Sequence, residues 1–100
     1  MLKVLSTVKP KNLVIAAACA NVADDMQITS FITVGSNGKH MKGSKHYTGH
    51  ALDIRSKHLE IPIKMLYLAR VLDRLGKGYE GFLEDRDTEN EHFHIEYDPK

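Results

Sequence analysis

Two short stretches of strict alternation limit what this chain can fold into. In Ala51-Leu52-Asp53-Ile54-Arg55 the aliphatic residues Leu52 and Ile54 fall on one side of an extended backbone. Ala51, Asp53 and Arg55 fall on the other, because successive side chains of a strand point to opposite faces. Near the C-terminus, Glu91-His92-Phe93-His94-Ile95-Glu96 sets two histidines two residues apart, so that both point at one face while Glu91 points at the other. A sheet made from such strands has an aliphatic face for the core and a polar face for chemistry. Helices packed on one side are the expected cover, which gives an α+β fold.

The polar residues read as parts of one metal site. His46 and Asp53 stand seven residues apart across Gly49, whose backbone freedom would let the two converge on one ion. With His94 they make a set of two nitrogens and one carboxylate. Three protein ligands of that kind, with a fourth position left for water, are what a catalytic Zn²⁺ uses, whereas structural zinc is usually closed by four ligands and rich in cysteine.

On these residues the chain resembles the LAS metallopeptidases, the group of lysostaphin-type enzymes, D-Ala-D-Ala peptidases and Hedgehog signalling domains. The pattern Ser-x-His-x-x-Gly-x-Ala-x-Asp is met by Ser44, His46, Gly49, Ala51 and Asp53. Glu-x-x-His with an embedded His-x-His is met by Glu91, His92 and His94. The similarity is to the small D-Ala-D-Ala carboxypeptidase and L-Ala-D-Glu endopeptidase branch that includes many phage endolysins, and it runs from about Ile28 to the end. The resemblance implies a small antiparallel Hedgehog/D-Ala-D-Ala peptidase-like fold and a zinc peptidase that cuts a bond in the peptidoglycan stem peptide. His46, Asp53 and His94 would bind Zn²⁺, Glu91 would act as general base, and His92 would sit beside the metal to stabilise the oxyanion or orient a neighbour. Relatives carry an arginine after a Thr-Ser on the upstream strand, where Thr29-Ser30-Phe31-Ile32-Thr33 has none. Arg55, Lys39 or Lys42 is left to bind substrate, and Ser44 either hydrogen-bonds near the metal or shapes its loop. The alternative is a non-catalytic zinc-containing module that binds peptidoglycan. Glu91 favours the enzyme, since such a module needs no base.

The remainder of the chain is consistent with scaffold. At 100 residues there is room for one domain with a two-layer core, and a formal charge of +1 provides no field to gather nucleic acid or a charged membrane. The single cysteine, Cys19, excludes an internal disulfide and reads as a small buried apolar residue. The run Leu13 to Ala20 imitates a signal peptide but is too short to span a bilayer. It reads instead as a buried helix beginning near Pro10. A strand is expected over Gln27–Val34, followed by a basic loop from Lys39 to Lys45 that either faces solvent or rims a substrate groove. A helix is expected over Ile61–Leu75, opened by Pro62 and closed by Gly76. Its expected apolar stripe is Ile61, Met65, Leu68, Leu72 and Leu75, with Tyr67 on a solvated face.

Strands follow over Tyr79–Glu84 and about Glu91–Tyr97, separated by a polar loop. Glu96 and Asp98 are expected to be strand-edge charges, and His40, His50 and His58 to be bystanders. Asp85 and Asp87 are expected in a solvated loop, with a second cation such as Ca²⁺ as the competing reading. A monomer is expected, without stable membrane association, made in the cytoplasm without a signal peptide and acting on the cell wall after release, as a phage lysin does.

Overall fold

The computed structural model of the chain describes residues 1–5, 8–34 and 51–99. The order is β1 (Leu2–Val4), a 3₁₀ turn at Pro10–Asn12, α1 (Leu13–Met26), β2 (Ser30–Val34), β3 (Ala51–Arg55), α2 (Ile61–Leu75), β4 (Tyr79–Glu84) and β5 (His92–Tyr97). The five strands form one sheet in the order β1-β2-β3-β5-β4. Two helices and this sheet make a small α+β domain.

The aliphatic face of the sheet and the helices share one core. Ile32, Leu52, Ile54, Phe93 and Ile95 project into it from the strands, and Ile15, Cys19, Val22, Tyr67 and Val71 from α1 and α2. Each large side chain fully removed from water contributes about 1.5–3 kcal/mol. The alternation in β3 and β5 is therefore strongly held, because slipping either strand by one residue would carry its aliphatics to the wrong face. Over β4, α2 approaches so closely that a Cβ on Gly81 would lie 2.9 Å from Leu68 Cδ1 and 3.2 Å from Leu72 Cδ1.

Four local outcomes differ from the sequence expectation. The sheet is mixed rather than antiparallel, because the unforeseen β1 pairs in parallel with β2 through the crossover α1. Three residues are a short signal, and their pairing depends on α1 to close the βαβ turn. The helix over Ile61–Leu75 has the expected limits but a different phase. Its buried residues are Lys64, Tyr67, Leu68 and Val71, while Ile61 is 70 % exposed. Tyr67 thus lies in the core, its hydroxyl 2.6 Å from Ser30 Oγ, which satisfies the one polar atom that made the residue look solvated. Finally, β5 is an interior strand, so Glu96 is no edge charge.

Cys19 is buried as expected, and burial pushes its thiol up to about 11. Asp85 and Asp87 both adopt positive φ, 52° and 64°, in an exposed turn. Among the described residues, neither joins a group able to hold a metal ion. No helix of the described residues is long and apolar enough to cross a membrane.

Candidate metal centre

On the face of the sheet turned away from the helices, register decides which side chains meet. β3 and β5 pair with Asp53 opposite His94 and Arg55 opposite His92. β4 and β5 pair with Glu84 opposite His92 and Phe82 opposite His94. Direct cross-strand neighbours lie within side-chain reach. The result is a row of carboxylates and imidazoles across three strands.

His94 is the centre of that row. Its Nε2 is 2.8 Å from Glu96 Oε1 and its Nδ1 is 3.2 Å from Asp53 Oδ1. With Nε2–H donated to Glu96, the Nδ1 side faces Asp53 and needs something positive between the two, a proton on the ring or a cation. A carboxylate holding the far nitrogen of an imidazole is the usual outer partner of a metal-binding histidine, since it sets the tautomer and orients the ring. Glu84 Oε1 lies 3.8 Å from the same Nδ1. Ligand atoms of Asp53, Glu84 and His94 all fall within 4.8 Å of one another, so the three form a group able to hold a metal ion. The side chains of Asp53 and His94 are only 11 % and 12 % exposed, against 48 % for Glu84.

His92 stands next to this group. Its Nδ1 donates to Asn90 O at 2.6 Å, and its Nε2 is 3.1 Å from Glu84 Oε1 and 3.7 Å from Asp53 Oδ2. Partial burial opposes a charge on either ring. For His92 the Asn90 carbonyl and the Asp53 and Glu84 carboxylates more than offset it, and for His94 Asp53 and Glu96 do so, so both pKa values are raised.

Glu91 lies immediately before β5 and, as alternation requires, on the helix side. It is 6 % exposed. Its Oε2 accepts from Lys64 Nζ at 2.7 Å and Ser56 Oγ at 2.9 Å, while Oε1 accepts from the Asp87 N–H at 3.3 Å. The Lys64 hydrogen bond outweighs burial and holds the carboxyl below its ordinary value. Lys64 was expected off the core stripe, and the ion pair explains how a lysine can be buried there.

Glu91 also reaches the wall of a cleft of ≈ 690 Å³, together with Thr33, Asp53, Arg55, His58 and His92. In this wall the His58 Nε2 donates to Thr29 O at 2.7 Å and its ring stands edge-on to Phe31, contacts that hold it in place. Of the residues singled out in the sequence, the structure brings Asp53, His92 and His94 together and places Arg55 and Glu91 on the cleft. Ser44, His46 and Lys39 lie outside the described residues, as do Lys42, His40 and His50. Sequence reasoning assigns no site role to Glu84, Glu96 or Lys64, of which Glu96 is expected as a strand-edge charge and Lys64 off the core stripe. The signal for Glu84 lies in cross-strand register and that for Lys64 in helix phase, whereas Glu96 follows His94 by two on one strand. No family model matches the chain, and neither does any curated protein or solved structure.

Proposed function

We propose that this chain is a zinc-dependent peptidase of the Hedgehog/D-Ala-D-Ala peptidase type that hydrolyses a peptide bond in the bacterial peptidoglycan stem. The observation that carries the reading is His94, its Nε2 tied to Glu96 and its Nδ1 turned to Asp53 in the group with Glu84. One imidazole and a carboxylate in this arrangement suit a borderline-soft divalent cation. Asp53 and His94 would hold Zn²⁺, with His46 as the third ligand. When bound, the ion lowers the pKa of a water to about 7 and polarises a carbonyl.

The chain's own residues divide the remaining work. Glu96 fixes the His94 tautomer. His92 is held through Nδ1 by the Asn90 carbonyl, and its Nε2–H, on Glu84 beside Asp53, would serve a developing oxyanion by exchanging Glu84 for it. Glu91 is kept ionised by Lys64, the form a base must have, and Oε1 is the oxygen with the weaker protein contact. In this role it accepts a proton and passes it to the leaving amine. The same ion pair lowers its basicity, and that favours the second reading, a zinc-holding module that binds peptidoglycan and cuts nothing.

Incubation with purified cell wall, followed by mass spectrometry of the released ends, separates the two. The peptidase releases free D-Ala or new N-terminal D-Glu, and Glu91→Gln reduces this by about 10²-fold or more with zinc content unchanged. Wild-type protein that carries zinc, binds cell wall and releases neither product is the module.

A further inference from the structure

The cleft beside the metal centre contains one cation, Arg55, whose charge no carboxylate among the described residues balances. Arg55 projects from β3 on the same face as Asp53, and its guanidinium carbon lies 4.7 Å from the centroid of the Phe31 ring. That ring is itself held, with His58 edge-on at 5.2 Å. Its basic neighbours in the cleft are already engaged, Lys57 with Glu89 at 2.9 Å, His58 with the Thr29 carbonyl and His92 with Glu84 at 3.1 Å. No carboxylate among the described residues pairs with Arg55. The stretch 35–50 contains neither Asp nor Glu. A guanidinium stacked on an aromatic face is pre-oriented, and its N–H edge remains suited to a two-pronged bond with a carboxylate.

The geometry points to Arg55 as the binding subsite for a free α-carboxylate on the residue whose nitrogen leaves. This rests on the peptidase reading and names what that substrate must carry. Asp53 and Arg55 are two residues apart on one strand, so their side chains rise roughly 7 Å apart. The carbonyl carbon of a scissile bond and the carboxylate carbon of the next residue are separated by one nitrogen and one Cα, under about 4 Å. A hydrogen bond adds about 3 Å. A carboxylate one residue beyond the scissile carbonyl therefore spans the gap. Both candidate bonds offer one: the terminal carboxylate of D-Ala, or the α-carboxylate of a D-Glu continued through its side chain.

The test pairs each of two stem peptides, one ending in D-Ala-D-Ala and one with an L-Ala-D-Glu bond but no terminal D-Ala pair, with a version whose α-carboxylate is a carboxamide. For whichever peptide is cut, the carboxamide should lower kcat/KM about 10- to 100-fold in the wild type, the ordinary worth of a charge-assisted pair. Arg55→Gln should be slow on both versions and indifferent between them. Arg55→Lys should recover only part of the preference. An Arg55→Gln variant that still prefers the carboxylate as strongly as wild type overturns the assignment.

If neither peptide is cut, the peptidase reading fails, and calorimetry with D-alanine against D-alaninamide still reads the subsite. A preference for the carboxylate that Arg55→Gln abolishes supports it. Equal binding of the two by wild type overturns it. Near-equal melting temperatures for wild type and both variants exclude misfolding as the cause.

Discussion

Replacing Lys64 with methionine isolates the buried pair that ties β5 to α2. The two side chains are 8 % and 4 % exposed and 2.7 Å apart. Removing one partner of such a pair strands the other charge, at a cost of about 3–5 kcal/mol. Ser56 and the Asp87 N–H still solvate Glu91, which places the expected loss near the lower end, about 3 kcal/mol. For a domain of this size that is roughly 12–24 °C in Tm. The pH dependence must follow the sign of the shift. In the wild type the lowered Glu91 value contributes stability above the ordinary carboxyl value of 4.5, lost as pH falls through the folded value. Without Lys64 burial dominates, the Glu91 value rises, and the variant loses stability as pH climbs. The gap between the two proteins therefore narrows in acid. The double variant Lys64→Met/Glu91→Leu removes both charges and should return to within about 1 kcal/mol of wild type or exceed it. Urea melts followed by circular dichroism at pH 7 and pH 4 measure all three. A single-variant loss below about 0.5 kcal/mol, or a gap that widens in acid, would refute this account of the pair.

Metal content should be close to one zinc per chain and should vanish in Asp53→Ala, His94→Ala and His46→Ala but survive in His92→Ala, as read by elemental analysis. Glu84→Ala separates the two possible ligand sets, since zinc is kept if His46 supplies the third ligand and lost if Glu84 does. Glu96→Ala should weaken zinc about 10- to 100-fold by releasing the far nitrogen of His94, measured by competition with a chelator. Zinc binding should also weaken as pH falls through the raised His94 value, because the ion and the proton compete for one ring. Cys19, buried with its thiol near 11, should resist a thiol reagent in native buffer and react at once in denaturant.

The elements were legible where a period and a boundary agreed. Pro62 and Gly76 bracket α2 as expected, and Leu52 and Ile54 point where alternation says they must. Phase was harder. Ile61 and Met65 look more apolar than Lys64 and Tyr67, yet the latter two are buried because Glu91 and Ser30 satisfy their polar ends. No periodicity count sees a partner that is 27 or 37 residues away. β1 was missed because a three-residue parallel strand owes its stability to the crossover helix rather than to its own residues.

The centre itself was legible to the extent that its residues lie close in sequence. His92 and His94 share a face by spacing alone, and Asp53 joins them once β3 and β5 are paired. Glu84 and Glu96 differ in this respect. Glu96 follows His94 by two on the same strand, so the spacing that aligned the histidines also places this carboxylate beside His94 Nε2. It was discounted only because β5 was not known to be interior. Glu84 comes to His92 through a hairpin whose register is set by the turn Asp85–Asn90, where two aspartates take positive φ. A one-residue change in that turn would slide β4 along β5, turn Glu84 to the helix side and take Gly81 out from under Leu68 and Leu72, into which any side chain there would collide. The packing of α2 on Gly81 therefore holds the register that brings a carboxylate to the metal face, and the helix shapes the centre without touching it.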